Sequence, residues 1–230
     1  MNILAIDTAL TSVSVCILDG ATAQPLQVHS QPMLRGQAEA IIPLVEKTIG
    51  AVPEGFASIE RIAVTVGPGS FTGIRVGISA ARGIALARRL PLVGVSTLAA
   101  FAAPFMATQG SDVIAASVDA RHGLVYIQAF ASGGRMIIPP RAMPVRDAIR
   151  ALGSGPVRFV GSGAPLMAIE AWSMGLRAEA VPDSIIPDIT YVARLGLLAD
   201  PAKSPARPLY LRPVDAKPQP APSRVAIGSD

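Results

Sequence analysis

The sequence has few of the residues from which metal sites and nucleophilic active sites are usually built. Its 230 residues include one cysteine and two histidines. Cys16 can form no disulfide within the chain, and it lies in an apolar alternating stretch, so we interpret it as a small core residue in a reducing compartment. His29 and His122 have no ligand-type neighbour at helical or turn spacing. We therefore expect no metal site in this chain.

Charged residues and long apolar runs are also scarce. Only 16% of the residues are charged, and half are hydrophobic, which is typical of a globular protein. Every apolar stretch is broken before it reaches the roughly 18 residues that a bilayer crossing needs. The N-terminal residues include the acidic Asp7 and no basic segment, which argues against a secretory signal. We expect a cytoplasmic protein that does not contact a membrane.

The net charge of +4 does not predict a nucleic-acid-binding face. Residues 201–230 contain five basic and two acidic side chains, so this segment alone carries +3. The same segment contains 7 of the 21 prolines. We interpret residues 213–230 as a Pro-rich flexible tail, and the rest of the chain as nearly neutral.

Two distant segments of the chain have the same pattern. In the first, an apolar strand ends at Asp7 and alternation resumes at Val13; in the second, a strand ends at Asp119 and alternation resumes at Val125. Each valine lies six residues after its aspartate. This repeat predicts two similar α/β lobes. At such a strand end, a carboxylate caps the turn backbone or holds a metal-bound phosphate.

Apolar spacing predicts further strands and helices between and after these segments. Strands are predicted over 62–66, over 92–96 and before Gly161; helices are predicted over 37–49, from the glycine loop to about Arg89, and over about 189–198. Strands that alternate with helices indicate a partly parallel sheet.

The glycine loop GPGSFTG, at residues 67–73, fits neither common phosphate-binding pattern. A Walker A loop would need glycine in place of Thr72, lysine in place of Gly73 and a hydroxyl in place of Ile74. In the dinucleotide fingerprint the third glycine would also fall on Thr72. Dinucleotide binding is therefore not expected.

The helix after this loop carries glycines four residues apart, at Gly73 and Gly77. A glycine inside a helix costs about 1 kcal/mol relative to alanine, so this helix needs tight packing. Ala80 and Ala81 extend the row of small residues, which lets another backbone approach closely. That backbone belongs either to this chain or to a partner subunit, and the pattern leaves both open.

Five motifs between residue 2 and about residue 213 resemble the TsaB (YeaZ) family. They are ILAIDTA, VGPGSFTGIRVGISAARGIALA, VGVSTL, VDARHGLVY and PLYLR. The resemblance implies an α/β fold of the actin-like ATPase superfamily, with two duplicated RNase H-like lobes whose mixed sheets are flanked by helices. We expect an N-terminal lobe with interface helices at 1–108 and a C-terminal lobe at 109–212.

The resemblance also implies a function in tRNA modification. It predicts a non-catalytic subunit of the tRNA threonylcarbamoyladenosine (t6A37) machinery, which dimerises with a TsaD-like catalytic paralogue and works with a TsaE-like ATPase. We expect a homodimer when the chain is alone, and contact with tRNA through the complex. No cofactor is expected on this chain alone, whereas ATP and a divalent metal are expected on partner subunits.

The same resemblance assigns residues to these roles. The expected interface residues are Ile41, Leu44, Val45, Gly69, Ser70, Phe71, Thr72, Gly73, Ile74, Gly77, Ala80 and Ala81. Four residues are expected to face a nucleotide if one binds, namely Asp7, Thr8, Asp119 and Arg121. No catalytic or metal-binding residue is predicted.

Three residues depart from the family pattern, and two other functions compete with the subunit role. Ala9 replaces a phosphate-loop glycine, Gln37 a histidine and Leu124 a glutamate. The Ala9 methyl group would crowd a phosphate.

The rival prediction is an independent ATP-dependent phosphotransferase of the actin-like superfamily. A peptidase, which the older M22 glycoprotease label suggests, is disfavoured because the sequence around Ser162 is not a nucleophile elbow.

Overall fold

The structure is a computed structural model that describes residues 1–106, 112–182 and 185–212. The predicted lobe boundary at 108/109 and the predicted tail at 213–230 lie outside the described residues.

The first lobe is built on a mixed five-stranded sheet. Its elements are β1 (Asn2–Asp7), β2 (Ser12–Asp19), β3 (Pro25–Pro32), α1 (Gln37–Gly50), β4 (Ile59–Gly67), α2 (Phe71–Arg88) and β5 (Leu92–Ser96). The strand order is β3-β2-β1-β4-β5. The first three strands are antiparallel, while β4 runs parallel to β1 and β5 runs parallel to β4.

The second lobe repeats this arrangement. The remaining elements are α3 (Thr97–Met106), β6 (Val113–Asp119), β7 (Leu124–Phe130), β8 (Met136–Pro144), α4 (Val145–Leu152), β9 (Val157–Val160), α5 (Ala164–Ser173), β10 (Ala178–Ala180) and α6 (Ile189–Leu198). The strand order β8-β7-β6-β9-β10 has the same antiparallel and parallel pairs as the first sheet. The predicted duplication of RNase H-like lobes is confirmed.

Apolar side chains on both faces of each sheet position the helices. One face of the first sheet packs against α1 and α2, and one face of the second sheet packs against α4 and α5. Cys16 is buried on the other face of the first sheet, as predicted, and burial raises the pKa of its thiol to about 12.

Two helices cross between the lobes. The sequence division puts α3 with the first lobe and α6 with the second, but each packs against the other sheet. Ile189, Val192 and Ala193 of α6 are buried against β1, β2, β4 and β5. Leu98, Phe101 and Ala102 of α3 are buried against β6, β7 and β9. Both helices lie between the sheets and so join the lobes.

Among the residues described, no helix is long and apolar enough to cross a membrane.

Candidate functional site

A groove between α1 and α2 is exposed on the outer face of the first lobe. It has a volume of about 490 Å³. Its lining residues are Ala38, Ile41, Ile42, Phe71, Thr72, Arg75, Val76, Ser79 and Ala80. Most of these side chains are small or apolar, and Ile42 and Phe71 are 43% and 40% exposed. The surface is therefore apolar and accessible, as a protein-docking surface would be.

The two helices form this groove because each has apolar residues on more than one side. In α1, Ile41 and Val45 are buried in the core. Ile42 follows Ile41, so its side chain points about 100° further around the helix axis and is exposed. In α2, the capping hydroxyl of Ser70 accepts a hydrogen bond from the Gly73 backbone N–H at 3.2 Å. This cap fixes where α2 begins.

The glycines of α2 do not face the groove. A Cβ atom on Gly73 would overlap the carbonyl oxygen of Thr8, and one on Gly77 would overlap the Thr8 hydroxyl. That hydroxyl donates a hydrogen bond to the Gly73 carbonyl at 2.6 Å. In the loop before α2, a Cβ atom on Gly69 would overlap the carbonyl oxygen of Ala9. The close approach predicted from the sequence is therefore made to the chain's own β1–β2 turn.

The structure places the predicted interface residues at different depths and at different sites. Gly73, Ile74, Gly77 and Ala81 are buried beneath the surface of their own lobe. The same is true of Ile41 and Val45, although the edge of Ile41 lines the groove. Among the other predicted residues, Phe71, Thr72 and Ala80 also line the groove, whereas Gly69 and Ser70 lie at a different site. Leu44 is half-buried against the core.

The sequence prediction missed five groove residues. They are Ala38, Ile42, Arg75, Val76 and Ser79. A signal was present in α1, because Ile41 and Ile42 are adjacent and cannot both face one core. In α2, the spacing of Thr72, Val76 and Ser79 also marks a second face.

A second depression lies between the lobes and has a volume of about 540 Å³. Asp119 and Arg121 line it together with Gly69, Ser70 and Ser162. The Asp119 carboxylate accepts a hydrogen bond from the Arg121 backbone N–H at 2.7 Å, so it caps the β6–β7 turn. In this cleft, polar side chains are more prominent than in the α1–α2 groove.

Asp7 and Thr8, the other two predicted nucleotide-facing residues, do not line this cleft. Both are buried, at 0% and 1% exposure. The Asp7 carboxylate accepts hydrogen bonds from the Thr65 hydroxyl at 2.5 Å and from the Ala9 backbone N–H at 3.0 Å. Burial raises the pKa of Asp7 above its usual value, and these hydrogen bonds oppose that rise. Both residues belong to the packed β1–β2 turn, so the prediction that they face a nucleotide stays a prediction and the structure gives it no direct support.

Histidine and carboxylate side chains do not gather into a metal site anywhere in the part of the chain that the structure describes. His29 lies 3.2 Å from the Thr48 hydroxyl, and His122 is exposed in the β6–β7 turn.

Comparison with known proteins defines the class to which this fold belongs. Residues 31–154, more than half of the chain, match the family model described as TsaD, tRNA N6-adenosine threonylcarbamoyltransferase. The chain therefore belongs to this family.

Individual curated proteins show which members of this family the chain resembles. The chain is 38% identical over 126 residues to the tRNA threonylcarbamoyladenosine biosynthesis protein TsaB of Escherichia coli K12, over 55% of this chain and 53% of that protein. It is 34% identical over 127 residues to TsaB of Haemophilus influenzae, over 55% of this chain and 52% of that protein. The chain spans about half the length of the curated relatives it matches.

A solved structure extends the likeness to nearly the whole fold. It is a Pseudomonas aeruginosa protein described as uncharacterized, with similarity to peptidase YeaZ. It matches with a TM-score of 0.74 and 26% identity, over 92% of this chain and 99% of that one. The resemblance to TsaB (YeaZ) proteins that the motifs predicted is confirmed.

Proposed function

We propose that this chain is a non-catalytic subunit of the tRNA threonylcarbamoyladenosine modification complex. Its role is to dock against a TsaD-like catalytic paralogue through the groove between α1 and α2. The relatives named TsaB support the modification pathway, and the match to the TsaD family supports a paralogous partner.

The observation that carries this proposal is the apolar groove itself. Ile42 and Phe71 place large apolar surfaces in contact with water, which a monomeric protein seldom does in one continuous patch. Both α1 and α2 lie within the residues that match the family model. A paralogue with the same two helices could pack them against these, so that both apolar faces become buried.

Catalysis is assigned to the partner because this chain has few groups that could perform it. The strand-end aspartates of both lobes cap turns, and Asp7 is enclosed in its own lobe. We propose that ATP and the divalent metal bind on the partner subunits, a TsaD-like protein and a TsaE-like ATPase. tRNA is contacted through the assembled complex, in the cytoplasm, and the chain forms a homodimer when the paralogue is absent.

The first experiment tests docking. The chain, the TsaD-like paralogue of the same organism and a 1:1 mixture are measured by size exclusion with light scattering. The expected result is a new species with the summed mass of one copy of each. Two separate peaks at micromolar concentrations would contradict the proposal.

The groove is tested by a matched pair of substitutions. Ile42→Glu places a charge inside the groove, whereas Leu86→Glu places one on α2 outside it, where Leu86 is 82% exposed. We expect Ile42→Glu to weaken the complex by about 100-fold or more, since an unpaired charge is buried on docking. Leu86→Glu should bind like the wild type. Equal binding by both variants would exclude this groove as the docking surface.

The non-catalytic role is tested by reconstitution. Unmodified tRNA is incubated with ATP, the enzyme that supplies the threonylcarbamoyl adenylate with its substrates, and the TsaE-like ATPase. This chain and the paralogue are added together or one at a time. Modified nucleoside is measured by mass spectrometry. We expect product only when this chain and the paralogue are both present. Product formed by this chain without the paralogue would assign catalysis to this chain.

A further inference from the structure

Arg75 is the one charged side chain among the described residues that line the α1–α2 groove. Its guanidinium carbon lies 3.7 Å from the centre of the Phe71 ring and 5.9 Å from the centre of the Tyr210 ring. The two rings stack with centroids 5.4 Å apart. The guanidinium group is therefore held against aromatic surface at the edge of the groove.

Hydrogen bonding further restricts Arg75. Its Nε–H donates to the Tyr210 hydroxyl oxygen at 2.9 Å. No carboxylate within residues 1–106, 112–182 and 185–212 forms an ion pair with Arg75, and its two terminal nitrogens make no hydrogen bond to these residues. The donors that form the outer edge of the guanidinium group remain available to a partner.

Tyr210 is itself held in place by the backbone that precedes it. Residues 204–209 form a C-terminal strap across the edge of the first lobe. The Gly94 N–H donates to the Ser204 carbonyl at 2.8 Å, and the Leu209 N–H donates to the Val66 carbonyl at 2.8 Å. Arg82 donates to the Ala206 carbonyl at 2.7 Å. These bonds tie the strap to β4, β5 and α2, so the backbone just before Tyr210 is held by contacts outside the groove.

We propose that Arg75 is a charged anchor of the docking groove, positioned by Tyr210, and that the partner is a paralogue helix that presents a carboxylate to it amid apolar side chains. This inference rests on the proposed function. It specifies the chemistry of the partner surface and gives the C-terminal strap a part in recognition.

Charge complementarity determines the partner's chemistry. Docking removes water from the groove, and a guanidinium buried without an acceptor is strongly unfavourable. A carboxylate matches the planar pair of terminal N–H groups and can accept from both at once. A helix that is apolar along its whole face would leave Arg75 unpaired, so it would be selected against.

Affinity for the TsaD-like paralogue tests the anchor directly. Dissociation constants are measured by calorimetry for the wild type, Arg75→Gln and Tyr210→Phe, from about 0.05 M to about 0.5 M salt. Arg88→Gln is the matched control, because Arg88 is an exposed arginine at the far end of α2. We expect Arg75→Gln to weaken binding about tenfold or more and to remove most of the salt dependence. Arg88→Gln should leave both unchanged.

A double-mutant cycle tests whether Tyr210 acts through Arg75. Tyr210→Phe keeps the ring but removes the hydroxyl, so it should weaken binding less than Arg75→Gln does and reduce the salt dependence in part. In the Arg75→Gln background, Tyr210→Phe should have no further effect. Equal losses in both backgrounds would show that Tyr210 has only a structural role, and would overturn that part of the proposal.

The outcomes separate this inference from the proposed function. Failure of the wild-type chain to bind the paralogue contradicts the proposed function. Binding by wild type that Arg75→Gln leaves unchanged, in affinity and in salt dependence, overturns only the charged anchor. An Arg75 effect confined to self-association would also overturn it, because the carboxylate would then belong to a second copy. A partner Glu→Lys or Asp→Lys substitution that restores binding to Arg75→Glu would support it.

Discussion

The substitution Gly77→Ala tests why α2 carries glycine in its interior. Helix propensity alone predicts that alanine stabilises the helix by about 1 kcal/mol. The structure predicts the opposite sign, because the new methyl group would overlap the Thr8 hydroxyl and lies 3.5 Å from the Val64 side chain. Overpacking of this kind typically costs about 1–3 kcal/mol. Moving the hydroxyl would also break its buried hydrogen bond to Gly73, which costs a further 1 kcal/mol or so.

We therefore expect Gly77→Ala to lower the free energy of unfolding by about 1–3 kcal/mol. Gly83→Ala is the matched control, because Gly83 lies in the same helix and nothing is within 4 Å of the position of its added Cβ atom. It should raise the free energy of unfolding by up to about 1 kcal/mol. Both are measured by urea unfolding with circular dichroism.

A second-site change identifies the contact responsible. Thr8→Ala removes the hydroxyl that the Gly77→Ala methyl group would overlap. In the double variant, Gly77→Ala should cost at least about 1 kcal/mol less than it does alone. If Gly77→Ala stabilises the chain as much as Gly83→Ala does, then α2 does not pack on the β1–β2 turn as described. Gly73 and Gly77 would then be free to contact a partner.

Two further predictions concern Asp7, which is buried, and Arg61, which is partly buried. Burial raises the pKa of Asp7, so between the usual carboxylate pKa near 4 and the raised folded value the folded chain keeps a proton that the unfolded chain has lost. The free energy of unfolding of the wild type, relative to that of Asp7→Asn, should therefore fall as pH rises through this window. A difference that stays constant or increases with pH would contradict the raised pKa of Asp7. Arg61 donates to the carbonyls of Gly196, Leu197 and Ala199 at 3.0–3.1 Å, at the C-terminal end of α6. Arg61→Met should lower the free energy of unfolding by about 2 kcal/mol, measured in urea, because these carbonyls lose their donor. Arg141→Met, at an exposed position of β8, should change it very little. Equal effects of the two substitutions would refute this role of Arg61.

Local pattern was sufficient to predict the elements whose burial is regular. The strand over 92–96 and the helix over 189–198 occupy the predicted residues. Edge strand β3 was not predicted, because it pairs only with β2 and alternates imperfectly between exposed and half-buried residues. Strand β8 on the opposite sheet was missed as well, and it contains three prolines. Prolines and exposure on both faces remove the period-two signal by which a strand is recognised.

The candidate site shows a different limit of sequence reasoning. The spacing of Gly73 and Gly77 correctly predicted close packing of α2, but spacing within one helix does not say which neighbour fills the space. The neighbour is Thr8, 65 residues before Gly73, and only the parallel pairing of β1 with β4 brings the two together. Tyr210 likewise stacks on Phe71, although the two are 139 residues apart in the sequence (210 − 71). Long-range contacts of this kind have no local signature.

The exchange of α3 and α6 between the lobes has a consequence for how the protein is made. The β-strands of the first sheet are all complete by Ser96, yet one of its faces is covered by α6, which begins at Ile189. During synthesis on a ribosome, α6 is made only after the entire second sheet, so that face lacks this helix until then. The nascent first lobe therefore exposes an apolar surface over that interval, and this side of its core is covered only once α6 has been made.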